Sequence, residues 1–329
     1  MGVIIVGAGS IGRRHAANFR SLGVSELYFV RRSDESVEEF PDIPVVQRLD
    51  DAIGESSNLV IICTPAPFHL ETGKSALDLG CHVFIEKPLS DTWRGVQRFL
   101  NSADSAHCLT WVGYDLRFDT GMQHLKEWVD RGRFGRPLIL RAQVGQYLPD
   151  WRPGTDYRQG VSAQRETGGG VLLELSHELD YARWLLGPVR EVFAVTETLL
   201  LDMPVEDTAI VSLIFESGAL GSVEIDCIQR SLSRSCQIVF SDAVVTWDYC
   251  ARTLRAVGSH NRVLDSVSWE SENRDSRFRR ELTHLIRCIE GHETPMVSAR
   301  EGAETLRLVL AVKDSDRLRK VIEITTHQE

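Results

Sequence analysis

The seven cysteines contain no Cys-X-X-Cys pair, and their number is odd. They stand at positions 63, 81, 108, 227, 236, 250 and 288, too scattered to frame a disulfide-stapled or zinc-stapled fold. Free buried thiols in a reducing cytoplasm are the expectation, with no metal. No apolar run approaches the ~20 residues of a membrane helix, so no membrane partner is expected. The opening residues lack the charged start and long apolar stretch of a secretory leader. Gly2 sits in a segment patterned as a buried strand, which argues against acylation there. No Lys/Arg-rich block occurs. With a net charge of −10 and a pI near 5.5, the chain lacks the basic footprint that a nucleic-acid partner calls for. Internal repeats and low-complexity tracts are absent too.

What is present is ordinary globular material in an informative order. At 329 residues the chain is about twice the size of one domain. Hydrophobic residues make up 43% and charged residues 26%. From residue 2 to about 118, short apolar runs (3–6, 27–31, 59–63, 82–85 and 109–113) alternate with helical patterns (11–22, 69–79 and 92–103). Gly23, Gly54 and Gly80 mark helix stops. Strands buried on both faces and linked by helices predict an α/β Rossmann domain with a doubly wound parallel sheet, over 1–118. The remainder, 119–329, reads as a second α/β domain with an open, mostly antiparallel sheet. Its pattern is a helix (118–131), a strand (137–146), a long polar and aromatic loop (147–169) and one continuous helix (171–186). Strands follow over 191–269, with a hairpin formed by 210–215 and 220–225 around Glu216-Ser217-Gly218. Helical patterns over 276–289 and 299–320 close the chain, and the last can pack back on the first domain.

The first apolar run leads straight into Gly7-Ala8-Gly9-Ser10-Ile11-Gly12. This is GxGxxG in the strand–turn–helix setting that a dinucleotide requires. Gly7 permits the tight turn, Gly9 lets the backbone approach a pyrophosphate, and Gly12 lets helix and strand pack closely. Ser10 and Ile11 open the helix, whose N–H groups and dipole favour the phosphates. The second run ends Arg31-Arg32-Ser33-Asp34. Two guanidinium forks and a hydroxyl suit the 2′-phosphate of NADP, while Asp34 keeps NAD open.

The fourth run ends Glu86-Lys87-Pro88. Ligands of open α/β sheets sit beyond the carboxyl ends of the strands, so Lys87 is aimed where a nicotinamide would lie. Oxidising a hydroxyl requires removal of its proton as hydride leaves. A lysine beside a cationic ring gives up its own proton more readily and suits that task. Pro88 restricts Lys87 to extended geometry. Taken alone, such a pair is more often a surface feature.

These pieces together resemble the Gfo/Idh/MocA family of oxidoreductases. The resemblance rests on Gly7–Gly12 with Arg13-Arg14-His15, Cys63-Thr64-Pro65 with His69, and Gly80 through Glu86-Lys87-Pro88. It continues in Gly113-Tyr114-Asp115-Leu116-Arg117-Phe118, Gly135-Arg136-Pro137, and Gly168-Gly169-Gly170 through His177 and Asp180 to Leu186-Gly187. It implies NAD or NADP as cofactor, a sugar, inositol or nucleotide-linked sugar as substrate, and oligomer contacts through the open sheet of the second domain, as homodimer or homotetramer. Lys87 is then the substrate-binding lysine and proton relay. Thr64, Pro65 and His69 lie along the cofactor, Glu86 near the nicotinamide ribose, and His177 is the active-site histidine. Many relatives carry an aspartate four residues before that histidine. Here position 173 is Leu, and the nearest acid is Glu174. On one continuous helix Glu174, His177 and Tyr181 would share a face. Arg117 joins the substrate set. So do Trp151, Arg152, Tyr157 and Arg158 from the aromatic loop, a segment that looks like a branch associated with bacterial surface-sugar synthesis. Aromatics that stack on rings, beside arginines that clamp anions, suit a nucleotide-activated or acidic sugar.

The expected function is hydride transfer between nicotinamide and a sugar hydroxyl or keto group, with Lys87 and His177 handling the proton. Two rivals stay open. One is an epimerase or glycosidase that retains its NAD(P) through each turnover; the other is a dinucleotide-binding sensor without turnover.

Overall fold

Gly2-Val3-Ile4-Ile5-Val6 carries no charge, and every residue of it is buried in a strand. That is the behaviour of a segment covered on both faces. The structure is a computed structural model and describes residues 1–54 and 58–324. Its elements begin with β1 (Gly2–Val6), α1 (Ser10–Ser21), β2 (Leu27–Val30), β3 (Val45–Val46), β4 (Asn58–Ile62), α2 (His69–Asp78), β5 (His82–Glu86), α3 (Val96–Ala106) and β6 (Thr110–Gly113). Next come α4 (Thr120–Asp130), β7 (Pro137–Tyr147), α5 (Val171–Glu174) and α6 (His177–Leu186). Seven strands follow: β8 (Val189–Glu197), β9 (Thr208–Phe215), β10 (Leu220–Asp226), β11 (Ile228–Phe240), β12 (Val244–Asp248), β13 (Thr253–Val257) and β14 (Val263–Ser268). After them come α7 (Arg274–Ile289), α8 (Ala299–Leu318) and β15 (Ile322–Glu323).

The chain divides into two units: Met1–Asp115 with Asn273–Leu306, and Leu116–Glu272 with the chain from Arg307 onward. A single cut after residue 118 therefore does not describe it. The physical reason is α7, which packs on α1. Its Leu282, Leu285 and Cys288 join Val3, Ile5, Phe19 and Phe29 in one core.

In the first unit the described strands form a parallel sheet in the order β3-β2-β1-β4-β5-β6. This is the doubly wound order, with its switch point between β1 and β4. Successive residues of β1 feed opposite faces, and helices lie on both. α2 and α3 pack together, and a Cβ at Gly73 would come within 2.8 Å of the Phe99 ring. Gly23 and Gly80 follow α1 and α2 in the left-handed region, whereas Gly54 follows only a single 3-10 turn, Asp50–Ala52. α3 starts at Val96, not at 92, because Gly95 precedes it in a left-handed conformation.

In the second unit the described strands run β14-β13-β12-β11-β7-β10-β9-β8-β15. Only the β7–β10 pair is parallel. β9 and β10 form the expected hairpin, with Gly218 at φ +82° in the turn. Inward residues such as Leu140, Val211, Val223, Ile238 and Trp247 are buried, and α4 and α6 lie against these strands. Phe193, Val195, Ile210 and Leu220 on β8 to β10 remain exposed, Ile210 by 57%.

All seven cysteines are free. Cys81, Cys227, Cys236 and Cys288 are buried, but Cys63 and Cys108 are half-buried and Cys250 is exposed, so burial does not hold for all of them. Among the described residues no helix is long and apolar enough to cross a membrane. Nor does any group of three His, Cys, Asp or Glu stand where it could hold a metal ion.

Candidate active site

The glycine loop links β1 to α1. Gly7 has φ +100°, and a Cβ there would lie 2.9 Å from the Cys63 carbonyl oxygen. At Gly12 a Cβ would come within 2.0 Å of the Gly7 oxygen, so the helix can approach its strand only with glycine. Gly9 is different: a Cβ there would meet nothing within 4 Å. It is the N-cap of α1 and provides no side-chain cap. The first internal helix bond runs from Arg13 N to Gly9 O. The loop thus offers an open face and uncapped N–H groups of Ser10, Ile11 and Gly12, which fits a pyrophosphate. At the end of β2, Arg31 and Ser33 are half-buried and Arg32 is exposed. The Ser33 hydroxyl accepts a hydrogen bond from Glu35 N at 3.2 Å.

The loops after β4 and β5 are joined by His69. Its Nδ1 lies 2.9 Å from the Pro88 carbonyl oxygen and its Nε2 2.7 Å from that of Thr64. The ring is buried, so it fixes the backbone of both loops and presents no edge to a cofactor. This revises its expected role along the dinucleotide. Burial pushes the His69 pKa below its ordinary value and Lys87 adds to this, while the two carbonyls and Glu86 oppose it. A neutral imidazole donates to only one carbonyl; donation to both requires the imidazolium. Thr64 and Pro65 form the turn after β4, ahead of α2. Burial, followed by the charge of Glu86, pushes the nearby Cys63 thiol well above its usual range, which makes it a poor nucleophile.

Lys87 is half-buried at the end of β5, and the peptide to Pro88 is cis. Its neighbour Glu86 is anchored by the fully buried His15, with Nε2 to Oε1 at 2.6 Å. The other ring nitrogen of His15 has no hydrogen-bond partner among the described residues. Beneath them Arg277 pairs with Asp115, both buried. Glu281 of α7 is buried as well, and its Oε2 lacks a partner. Burial first, and then the charges of Asp115 and Glu86, push the Glu281 carboxyl well above the usual carboxylate range, against the pull of Arg277. Glu281 and Arg277 carried no signal in the sequence, because helix α7 is far from this crevice along the chain; Asp115 stood there only as part of the Gly113–Phe118 motif.

In the second unit the expected continuous helix over 171–186 is broken. α5 ends at Glu174, Leu175 has φ −114° and ψ 36°, and α6 begins at His177. Glu174 and His177 therefore do not share a face by helical spacing. Glu206 was missed by the sequence reading. Its carbonyl accepts from Val171 N at 2.9 Å, and its carboxylate lies 3.4 Å from Leu172 N, at the start of α5. His177 is buried at the first turn of α6.

Arg117 and Tyr181 are not surface groups. Arg117 is 1% exposed and forks onto Asp180, with Nε–Oδ2 at 2.8 Å and Nη2–Oδ1 at 2.7 Å. Tyr181 is fully buried, edge-on to Trp247. Both belong to the scaffold of α6, not to a substrate surface. Glu178 and Arg234 form a second buried pair at 2.9 Å.

The loop over 147–169 is ordered by four 3-10 turns: Leu148–Trp151, Tyr157–Gln159, Val161–Ala163 and Arg165–Thr167. Arg158, expected to meet substrate, instead forks onto Asp156 (Nε–Oδ1 2.9 Å, Nη2–Oδ2 3.0 Å) and reaches Asp202. The Tyr157 hydroxyl accepts from Asp202 N at 3.0 Å. Arg165 donates to the Pro204 carbonyl. Trp151 is half-buried and Arg152 exposed.

Two family signatures match the sequence. "Oxidoreductase family, NAD-binding Rossmann fold" covers residues 1–114, and "GFO/IDH/MocA C-terminal domain" covers residues 122–246. The chain belongs to the Gfo/Idh/MocA oxidoreductase family. A relative named myo-inositol 2-dehydrogenase, from Thermotoga maritima, is 29% identical, with 96% of each chain covered. The WlbA dehydrogenase of Chromobacterium violaceum, solved with NADH and UDP-GlcNAcA, is 25% identical with a TM-score of 0.84, covering 100% of this chain and 97% of that one. A levoglucosan dehydrogenase solved with NADH has a TM-score of 0.90 at 18% identity, covering 99% and 100%, a likeness of fold alone. As a Gfo/Idh/MocA member the chain is an oxidoreductase with an NAD-binding Rossmann domain.

Proposed function

We propose that this oxidoreductase is a sugar dehydrogenase or reductase acting on a ring hydroxyl or keto group, with Lys87 handling the substrate proton. One observation carries the reading: β1, β4 and β5 are adjacent strands, and from their carboxyl ends come the open glycine loop, the Thr64–Pro65 turn and Lys87. Neighbouring strands are about 5 Å apart, so Lys87 follows a strand roughly 10 Å across from the one that feeds the phosphate-binding loop. Bound NAD(P) would accept or supply the hydride. Lys87 Nζ takes the hydroxyl proton in oxidation and returns it in reduction. His177 assists as a second proton-handling group; Glu174, separated from it by the break between α5 and α6, is given no step. His69 and Glu86 hold the backbone and flank of Lys87. The substrate class, a sugar or nucleotide-linked sugar, is supported by the name of the myo-inositol 2-dehydrogenase relative and by the UDP-GlcNAcA bound in the WlbA dehydrogenase structure.

Lys87→Met should lower turnover at least a thousandfold and leave dinucleotide affinity within about threefold, since a positioned proton carrier contributes roughly 10²–10⁴. Turnover on a sugar panel, followed at 340 nm, checks the first; fluorescence titration of NAD(P)H checks the second. Product formed without net NAD(P)H change would point to a retained-cofactor enzyme. NADP is the preferred cofactor in this reading, through Arg31, Arg32 and Ser33. Arg31→Ala should cut NADP affinity about 10-fold and leave NAD nearly unchanged; equal losses for both cofactors would remove that preference. The exposed apolar residues of β8 to β10 support a homodimer or homotetramer. The free thiols suit a reducing cytoplasm.

A further inference from the structure

Residues 148–162 of the second unit line a half-open cavity of about 260 Å3. Leu148, Pro149, Trp151 and Tyr157 supply apolar and aromatic wall, and Arg152, Asp156 and Gln159 supply polar wall. The wall is braced. Leu148 N bonds to the Cys227 carbonyl, Gly160 N to the Tyr157 carbonyl, and Thr155 Oγ1 to the Arg152 carbonyl. The Tyr157 hydroxyl is fixed by Asp202 N.

The charges of this wall do not cancel. Among the described residues Asp156 is the only carboxylate lining the cavity, and the Arg158 fork engages both its oxygens. That leaves Arg152, whose guanidinium has no ion-pair or hydrogen-bond acceptor among the described residues. A ring-sized, aromatic-walled cavity with one uncommitted cation matches a ligand that carries both a ring and an oxyanion.

We propose that this cavity is the anion-reading subsite for the substrate, in which Arg152 pairs with a carboxylate or phosphate and Trp151 covers the attached ring. The proposal rests on the sugar-dehydrogenase reading and narrows it to acidic or phosphate-bearing sugars. It excludes neutral cyclitols as the preferred substrate. The volume accommodates one ring with its anionic group, not a whole nucleotide sugar.

Calorimetric titration of the full chain with four probes tests this: glucuronate, UDP-glucose, UDP-glucuronate and myo-inositol. Arg152→Gln should weaken at least one anionic probe by about 10- to 100-fold, the span for a hydrogen bond to a charged group, and leave myo-inositol and NADH unchanged. A loss confined to glucuronate and UDP-glucuronate assigns the carboxylate; a loss shared with UDP-glucose assigns the phosphate. Trp151→Leu should weaken the same probes about 3- to 10-fold, with Trp151→Phe restoring them, which a mere packing defect would not show. Wild-type protein that binds no anionic probe, or an Arg152→Gln variant that binds all of them as wild type does, overturns the proposal. Turnover of the same probes by wild type separates the two readings. Arg152-dependent binding that persists where wild type shows no turnover of any probe rejects the redox assignment alone, and turnover without Arg152 dependence rejects this subsite alone.

Discussion

Each unit buries arginine against carboxylate, and the first adds carboxylates beyond its pair. In the second, each buried arginine meets a buried carboxylate: Arg117 with Asp180, and Arg234 with Glu178. In the first, Glu86, Asp115 and Glu281 cluster beside Arg277 and His15, and one Glu281 oxygen and one His15 nitrogen lack partners. Closed pairs hold a helix in one place on a sheet. A cluster richer in carboxylates than in cations has protonation states close in energy, and such groups gather where protons move. The sheets differ too: the first has helices on both faces, and the second exposes apolar residues of β8 to β10.

The largest expected effect breaks the closed kind of pair. Asp180→Asn leaves the Arg117 charge buried without its counter-ion and should cost about 3–5 kcal/mol of stability, read by urea unfolding. A cost under about 1 kcal/mol would show that the pair is not what fixes α6. The next effect concerns the open cluster and has a sign. Folding raises the Glu281 pKa, so the native state holds a proton that the unfolded chain releases. That contribution is whole below the unfolded glutamate pKa of about 4.3 and is lost as pH rises through the higher folded value. Glu281→Gln removes the dependence, so the variant should gain on wild type between pH 5 and pH 8. Parallel stability curves over that range would mean that Glu281 is already ionised in the fold. The smallest effect on stability lies on the bare sheet face. Ile210→Glu should change unfolding free energy by no more than about 0.5 kcal/mol and yet shift the protein to monomer in sedimentation. An unchanged oligomer would place the subunit contact elsewhere.

The same contrast explains how far the sequence could be read. The glycine loop, the parallel, doubly wound type of the first sheet and the Lys87 turn were legible because each depends on neighbours in sequence: period, turn chemistry and strand ends; the short strand β3 at Val45–Val46 was not. The break between α5 and α6 was not, for no Gly or Pro marks Leu175 or Ser176. Nor could the commitments of Arg117 or Glu281 be seen, because their partners lie far along the chain: Asp180 is 63 residues from Arg117. Arg158 was misread for another reason. Its partner Asp156 is two residues away, but a short-range fork and a vacant guanidinium look the same in sequence. The membership of α7 in the first unit depends on a core assembled from both ends of the chain.

The His69 ring has a consequence for how the edge of the first sheet moves. One rigid five-membered ring separates the carbonyls of Thr64 and Pro88, so the turns after β4 and β5 cannot spread or close independently. A smaller side chain at that position would remove the spacer without touching any reacting group. The amine of Lys87 would then wander relative to the glycine loop, slowing turnover through lost alignment while both ends of the crevice stayed chemically intact.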